Sequence, residues 1–226
     1  MIGKFRIWAW ILAAQLTVSA CAMDSNQTPR YFRGHSGGGI QYTGTDDLMK
    51  TDNPRIRRFR EYYLRTVTVE SALQNSRPHM RAIVPEFRRR QLPPPLVYLP
   101  MLESRFETRA DSGHARGLWQ FTPQTAEHMG LKVNRWGDER LNVKQSTRAA
   151  AAYLKDLGQR FGGNWELALA AYNGGPGYIE QEVRRQGTSN FWDLKLRDET
   201  ADYVPRFIAM LQVAQEKYPH MLAVDL

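Results

Sequence analysis

The 226-residue chain contains a single cysteine, Cys21. One thiol cannot form an internal disulfide, and no spacing of cysteine and histidine suits a metal. The five histidines, His35, His79, His114, His128 and His220, are scattered. Neither a metal nor a cofactor is therefore expected. No internal repeat is visible, and no stretch alternates apolar and polar residues long enough to build a sheet. Nor does any apolar run reach the roughly 20 residues that a spanning helix needs. These absences leave an all-α class, with at most a small irregular hairpin near Gly117. At 42% hydrophobic composition the chain can bury one good core.

The longest apolar run, Ile7 to Leu16, follows Lys4 and Arg6 and precedes small residues. That is the layout of a secretory signal over residues 1–20. Val18-Ser19-Ala20-Cys21 resembles the lipobox of bacterial lipoproteins, in which the cysteine becomes the lipid-bearing mature N-terminus. Ala22, not Asp, follows it, which by the sorting rule of such proteins implies the outer membrane, facing the periplasm. Lys4 and Arg6 leave with the signal and no acidic residue does, so the net charge of +8 becomes +6. A basic exported protein favours polyanions such as anionic head groups or the carboxylate-bearing peptides of a cell wall; export argues against nucleic acid. No obligate protein partner is readable.

Residues 22–53 are polar, with Gly37-Gly38-Gly39 and no apolar period, and read as a flexible tether. The folded domain is expected over 54–226, its catalytic core over about 88–218. From Pro54, Ile56, Phe59, Tyr63 and Val67 recur at helical spacing among five arginines, predicting one basic amphipathic helix to Gln74, more simply a packed helix than a membrane-binding one. A second helix is expected from Arg77 to Gln91, before Pro93-Pro94-Pro95. Thr122-Pro123 opens a two-turn helix stopped by Gly130, and residues 132–142 read as an irregular connection. Further helices are expected over Gln145–Phe161, from Asn164 to Tyr172-Asn173, over Pro176–Gln186, and over Asp198–Tyr218 with a bend at Pro205.

Leu96, Leu99, Pro100 and Glu103 fall on one face of a helix. Glu103 thus stands where an apolar residue is expected. Desolvation disfavours the charged form of a carboxyl, so its pKa should rise toward values useful for proton donation. Glycoside cleavage commonly pairs such an acid with a second carboxylate, for which Glu107, one turn along if the helix continues, and Asp111 are candidates. The plain alternative is a buried glutamate paired with an arginine.

The blocks Pro95-Leu96-Val97-Tyr98-Leu99-Pro100-Met101-Leu102-Glu103-Ser104, Ser112, Gly117-Leu118-Trp119-Gln120, Ala171-Tyr172-Asn173 and Glu199 to Pro205, in this order, resemble the lysozyme-like domain of soluble-type lytic transglycosylases. Within it they are most similar to the membrane-bound murein transglycosylase D group. The resemblance implies an α-helical, goose-lysozyme-like fold. It implies cleavage of the MurNAc to GlcNAc β-1,4 bond of peptidoglycan by one glutamate, Glu103, acting first as acid and then as base. The substrate's N-acetyl group would stabilise the developing charge and its 6-hydroxyl would attack, leaving 1,6-anhydro-MurNAc. By the same resemblance Ser112 hydrogen-bonds near Glu103, Gln120 contacts sugar, and Tyr172, Asn173 and Tyr203 line the cleft. Trp119 and Trp165 read as core, Phe121 as either core or site, Glu199 as a structural hydrogen-bonding residue at a helix start, and His114 as a surface residue of the site loop. That group usually carries LysM repeats after the catalytic domain; with the sequence ending at Leu226, none is expected. Two other readings stay open: a hydrolytic muramidase of goose-lysozyme type, and a peptidoglycan-binding lipoprotein without turnover.

Overall fold

The computed structural model describes residues 46–224. The signal segment 1–20, Cys21 and the first part of the tether lie outside the described residues. Ten α-helices are described: α1 (Asp46–Lys50), α2 (Pro54–Leu64), α3 (Thr68–Ser76), α4 (Met80–Arg89), α5 (Leu99–Glu103), α6 (Pro123–His128), α7 (Val143–Arg160), α8 (Trp165–Gly174), α9 (Pro176–Gln186) and α10 (Asp198–Lys217). The described strands are β1 (Val133–Asn134) and β2 (Gly137–Asp138), paired antiparallel with Val133 opposite Asp138. The chain is all-α with a minimal hairpin. That hairpin lies at 133–138, not near Gly117, where only isolated bridges join Asp111 to Arg116 and Arg116 to Phe121.

α10 is the axis. Val204, Phe207, Ile208 and Leu211 recur at offsets of three, four and seven and are all buried, and α1, α2, α3, α5 and α8 pack around this helix. It runs unbroken through Pro205. α7, α4 and α8 make a second group, in which Phe87 of α4 stacks on Trp119 with ring centroids 5.4 Å apart. Trp119 and Trp165 are core residues, as expected.

Three expectations are corrected. The tether meets the folded body before residue 53: α1 packs on α10, with Leu48 only 2% exposed, and Gln212 donates to the carbonyls of Met49 and Thr51. The single helix expected over 54–74 is two. The amide of Arg65 donates back three residues to Tyr62, the chain turns, and Val67 is left 71% exposed while Val69, Ala72 and Leu73 are buried on a new face. The helix expected over 77–91 is shorter, Met80–Arg89. Residues 94–98 form a 3-10 turn and α5 begins at Leu99, placing Pro100 in the first turn where no donor is required.

The arginines of α2 lie on a packed helix. Arg58 pairs with Asp202 at 3.2 Å, Arg60 with Glu216 on the same α10, and Arg55 donates to the carbonyl of Trp192. Such exposed pairs contribute about 0–1 kcal/mol each, so they orient the helix more than they hold it. Among the described residues, no helix is long and apolar enough to cross a membrane.

Candidate active site

Glu103 is the last residue of α5, and three elements converge on it. α10 brings Tyr203, whose hydroxyl donates to Oε1 of Glu103. α8 brings Tyr172, whose hydroxyl donates to the carbonyl of Trp119 at 2.8 Å. The loop after α5 closes the third side. Glu103 itself is half-buried: enclosed enough to lose hydration, open enough to be reached.

Burial raises its pKa to about 7, with the nearby charge of Glu199 adding to the rise and the Tyr203 hydrogen bond opposing it. Burial and the same carboxylate push both tyrosines well above the ordinary phenol value, so Tyr172 and Tyr203 remain donors at any working pH. The desolvated carboxyl anticipated from the apolar face is present. The second carboxylate anticipated beside it is not. The helix stops at Glu103, Arg105 and Phe106 turn back with φ of 53° and 60°, and Glu107 ends up exposed and paired with Arg105. Asp111 is spent on Arg116 and on the amide of Gly113.

The loop from Ser104 to Phe121 is held by hydrogen bonds from its own polar side chains. Ser104, buried, donates from Oγ to the carbonyl of Leu118 at 2.8 Å. Gln120 donates from Nε2 to the carbonyls of Gly117, at 2.9 Å, and Ala110, at 3.2 Å. Ser112 closes its own turn, accepting from the amide of Ala115 and donating to its carbonyl. Ser112 and Gln120 therefore shape the loop, and the hydrogen bonds they make here are not to Glu103. His114 is exposed on it. Phe121 is buried, its ring 6.2 Å from that of Tyr172 and 6.3 Å from that of Tyr153, so it backs the site from the core.

Beside α10, the Asn173 amide is fixed from both ends: Oδ1 accepts from Thr200 Oγ1 at 2.9 Å, and Nδ2 donates to Glu199 at 3.5 Å. Glu199 thus has the hydrogen-bonding place expected of it. Gly174 is required here because a Cβ would sit 2.8 Å from Thr200 Oγ1, where the two helices touch.

Several residues that matter to the site gave no usable sequence signal. The stretch 132–142 braces the loop. Arg140, 5% exposed, pairs with Asp138 and donates to the carbonyl of Phe121, and its own carbonyl fills the space where Gly117 lacks a side chain. Ser104 and Thr200 stand inside the resembling blocks with no role of their own legible there, and Tyr153 gives no signal at all. Among the described residues, no three His, Cys, Asp or Glu side chains gather as a metal site would require.

Residues 82–195, just over half of the chain, match the transglycosylase SLT domain family. The chain belongs to this family. Membrane-bound lytic murein transglycosylase D of Escherichia coli (strain K12) is 36% identical over 168 residues, covering 72% of this chain and 37% of that protein. Membrane-bound lytic murein transglycosylase F of Shewanella frigidimarina is 31% identical over 137 residues, covering 57% of this chain and 27% of the relative. The SLT-family chain described here thus spans little more than a third of the length of its type D relative. A solved structure, an inactive mutant of lytic transglycosylase Slt from Pseudomonas aeruginosa, aligns with 26% identity and a TM-score of 0.47, covering 61% of this chain and 24% of that one. The SLT match takes in Glu103, Ser112, Gln120, Tyr172 and Asn173, while Tyr203 lies eight residues past its end.

Proposed function

We propose that this chain is a peptidoglycan lytic transglycosylase that cuts the MurNAc to GlcNAc β-1,4 bond without water. The observation that carries the reading is the state of Glu103: a half-buried carboxyl poised at about pH 7, with one oxygen held by Tyr203 and the other free for a proton. A general acid works best when its pKa lies near the working pH. Family membership supplies the substrate class.

In the first step protonated Glu103 gives its proton to the glycosidic oxygen, and the bond from that oxygen to the anomeric carbon breaks. The N-acetyl group of the same sugar shares the positive charge. In the second step the sugar's 6-hydroxyl oxygen bonds to the anomeric carbon, and its proton returns to Glu103, now a carboxylate. The enzyme is restored and the product is a 1,6-anhydro sugar. Substrate assistance of this kind is a recognised exception to the two-carboxylate scheme. A hydroxyl already held in place can outcompete water, with effective molarities on the order of 10⁵ M or more. Tyr203 keeps Oε1 occupied so that proton traffic runs through Oε2. Tyr172 and Asn173 line the cleft that would hold the sugar, and Gln120 and Ser112 shape the loop beside it.

One observation favours a second reading. Glu199 is close enough for its charge to raise the Glu103 pKa, so a hydrolytic muramidase using it as a water-activating base is the competitor. Digestion of purified sacculi followed by mass spectrometry separates the two, since anhydro ends are lighter by one water. Anhydro-MurNAc ends are expected from the wild type and none from Glu103→Gln. Reducing MurNAc ends would replace the assignment with a hydrolase, and no release from wild type would leave a binding protein.

We also infer that the mature chain begins at lipidated Cys21 and faces the periplasm from the outer membrane. The support is the export signal that ends in the lone cysteine and the membrane-bound relatives. Recovery of Cys21→Ala with the membrane fraction as fully as wild type would overturn this.

A further inference from the structure

A groove of about 510 Å³ opens behind the turn that follows Glu103. Its walls come from the end of α3, through Gln74 and Asn75, from the link to α4, through Pro78 and His79, and from residues 107–109. Phe106 of that turn is part of its lining. Arg105 and Phe106 there adopt left-handed backbone that non-glycine residues rarely hold, and such strain clusters at ligand clamps and active sites. Asn75, at the end of α3, clamps that turn: its Nδ2 donates to the carbonyl of Arg105 at 3.0 Å.

The lining decides the ligand class. A saccharide site is normally floored by an exposed aromatic face. The aromatic residue among the lining residues, Phe106, is 2% exposed and gives its face to the core. What the groove offers instead is hydrogen-bonding groups and one spare positive charge. Glu107 is already paired with Arg105 at 3.1 Å, and burial holds His79 below the usual histidine value, so neither sets the sign. Arg109 is exposed and has no ion pair among the described residues. A free guanidinium beside amide and hydroxyl groups suits a carboxylate in bidentate fashion, with main-chain amides alongside.

We propose that this groove holds the carboxylate-bearing peptide of the strand being cut, with Arg109 receiving a carboxylate and Gln74 and Thr108 pairing with the peptide main chain. The assignment rests on the peptidoglycan reading above and adds to it a recognition site for the peptide rather than the sugar. A peptide seated there spans the end of α3 and residues 107–109 and so lies across the Asn75 clamp on the turn that follows Glu103.

The test is titration of the full-length chain with two probes: the stem tetrapeptide freed from sacculi by an amidase, and chitotetraose, which has sugars but no peptide. The tetrapeptide is expected to bind, to bind about tenfold or more weakly to Arg109→Ala, and to be lost with Arg109→Glu, whereas Arg109→Lys keeps part of the affinity because it retains the charge but not the fork. Chitotetraose affinity is expected to stay within about twofold across the three variants. No tetrapeptide binding to wild type, or equal affinity in Arg109→Ala, overturns the proposal. Loss of chitotetraose with the same substitution makes the groove a sugar site instead and overturns it too. Failure of the transglycosylase reading shows separately, as absence of anhydro ends from wild-type digests, because the titration needs no turnover.

Discussion

Tyr203 donates its hydroxyl hydrogen to Oε1 of Glu103 across a hundred residues of sequence, tying the middle of α10's first half to the last residue of α5. The bond opposes desolvation. It favours the charged carboxylate, which burial and Glu199 disfavour, so the pKa near 7 is a balance of named contributions.

Tyr203→Phe removes the stabilising donor while keeping the ring. A hydrogen bond to a charged group contributes about 1.5–3 kcal/mol, which is about one to two pH units. The pH at which cleavage fails on the alkaline side is therefore expected to move upward by about that much. The maximal rate should fall about tenfold or more, because the carboxyl loses its orientation. A pH–rate profile checks both, and an alkaline limb at the wild-type position would show that the bond does not act on Glu103.

The same raised pKa makes Glu103 a cost to folding at neutral pH. Its folded value, about 7, lies above the 4.5 of the unfolded chain, so between these values the folded state holds a proton that the unfolded state has lost. Stability falls as pH rises through that window, by at most about 3 kcal/mol. Glu103→Gln, which cannot ionise, should match wild type near pH 4 and exceed it above pH 7 by up to that amount, as active-site substitutions that relieve strain often do. Denaturant unfolding at both pH values measures the difference. A variant less stable than wild type at high pH would contradict the desolvated site.

Glu103 was legible in the sequence because a carboxylate broke an apolar helical face, and the helix limits near 122–128, 143–160, 164–174 and 176–186 were legible because caps and glycines mark them. Asn164 accepts from the amide of Leu167, as a capping residue does, whereas Asn142, read as part of a connection, caps α7 through the amide of Gln145. The failures have a different physical origin. Whether α5 continued past Glu103 depended on Ser104 finding the Leu118 carbonyl and Phe106 finding the core, which are long-range events with no local pattern. Arg140 is the clearest case: a buried arginine is defined by the Asp138 carboxylate and Phe121 carbonyl it meets, and nothing at position 140 itself announces them. The hairpin that carries it has two residues per strand, too few for an alternation to be read.

Gly117→Ala tests that brace. A Cβ at residue 117 would lie 2.1 Å from the carbonyl oxygen of Arg140, a backbone atom that cannot swing aside, and φ is +81°. Overpacking of this kind and a forced positive φ together are expected to destabilise the chain by about 3 kcal/mol. Displacing the 117–121 segment also pulls the Trp119 carbonyl from Tyr172, so activity should drop more than stability alone explains at a temperature where the variant is fully folded. Thermal unfolding beside cleavage assays at low temperature reads the two effects apart. An unchanged unfolding midpoint would show that the 132–142 segment does not hold the site loop.

Glu199→Gln is the substitution on which the two enzyme readings disagree. The Glu199 charge raises the Glu103 pKa, so neutralising it should lower that pKa and shift the alkaline limit of cleavage toward acid, opposite to Tyr203→Phe. Glutamine keeps an oxygen for the 3.5 Å contact from Asn173, so the α8 to α10 junction is preserved. If the 6-hydroxyl is the nucleophile, no base is needed at residue 199: the rate at the new optimum should stay within a few fold, and the ends should remain 1,6-anhydro. If Glu199 instead activates water, losing a general base costs about 10²–10⁴ in rate. Whatever slow product remained would then reveal which nucleophile had been idle. Rate and end-group mass, measured on the same digest at each enzyme's own optimum pH, therefore decide whether the second carboxylate near Glu103 tunes the acid or takes part in the chemistry.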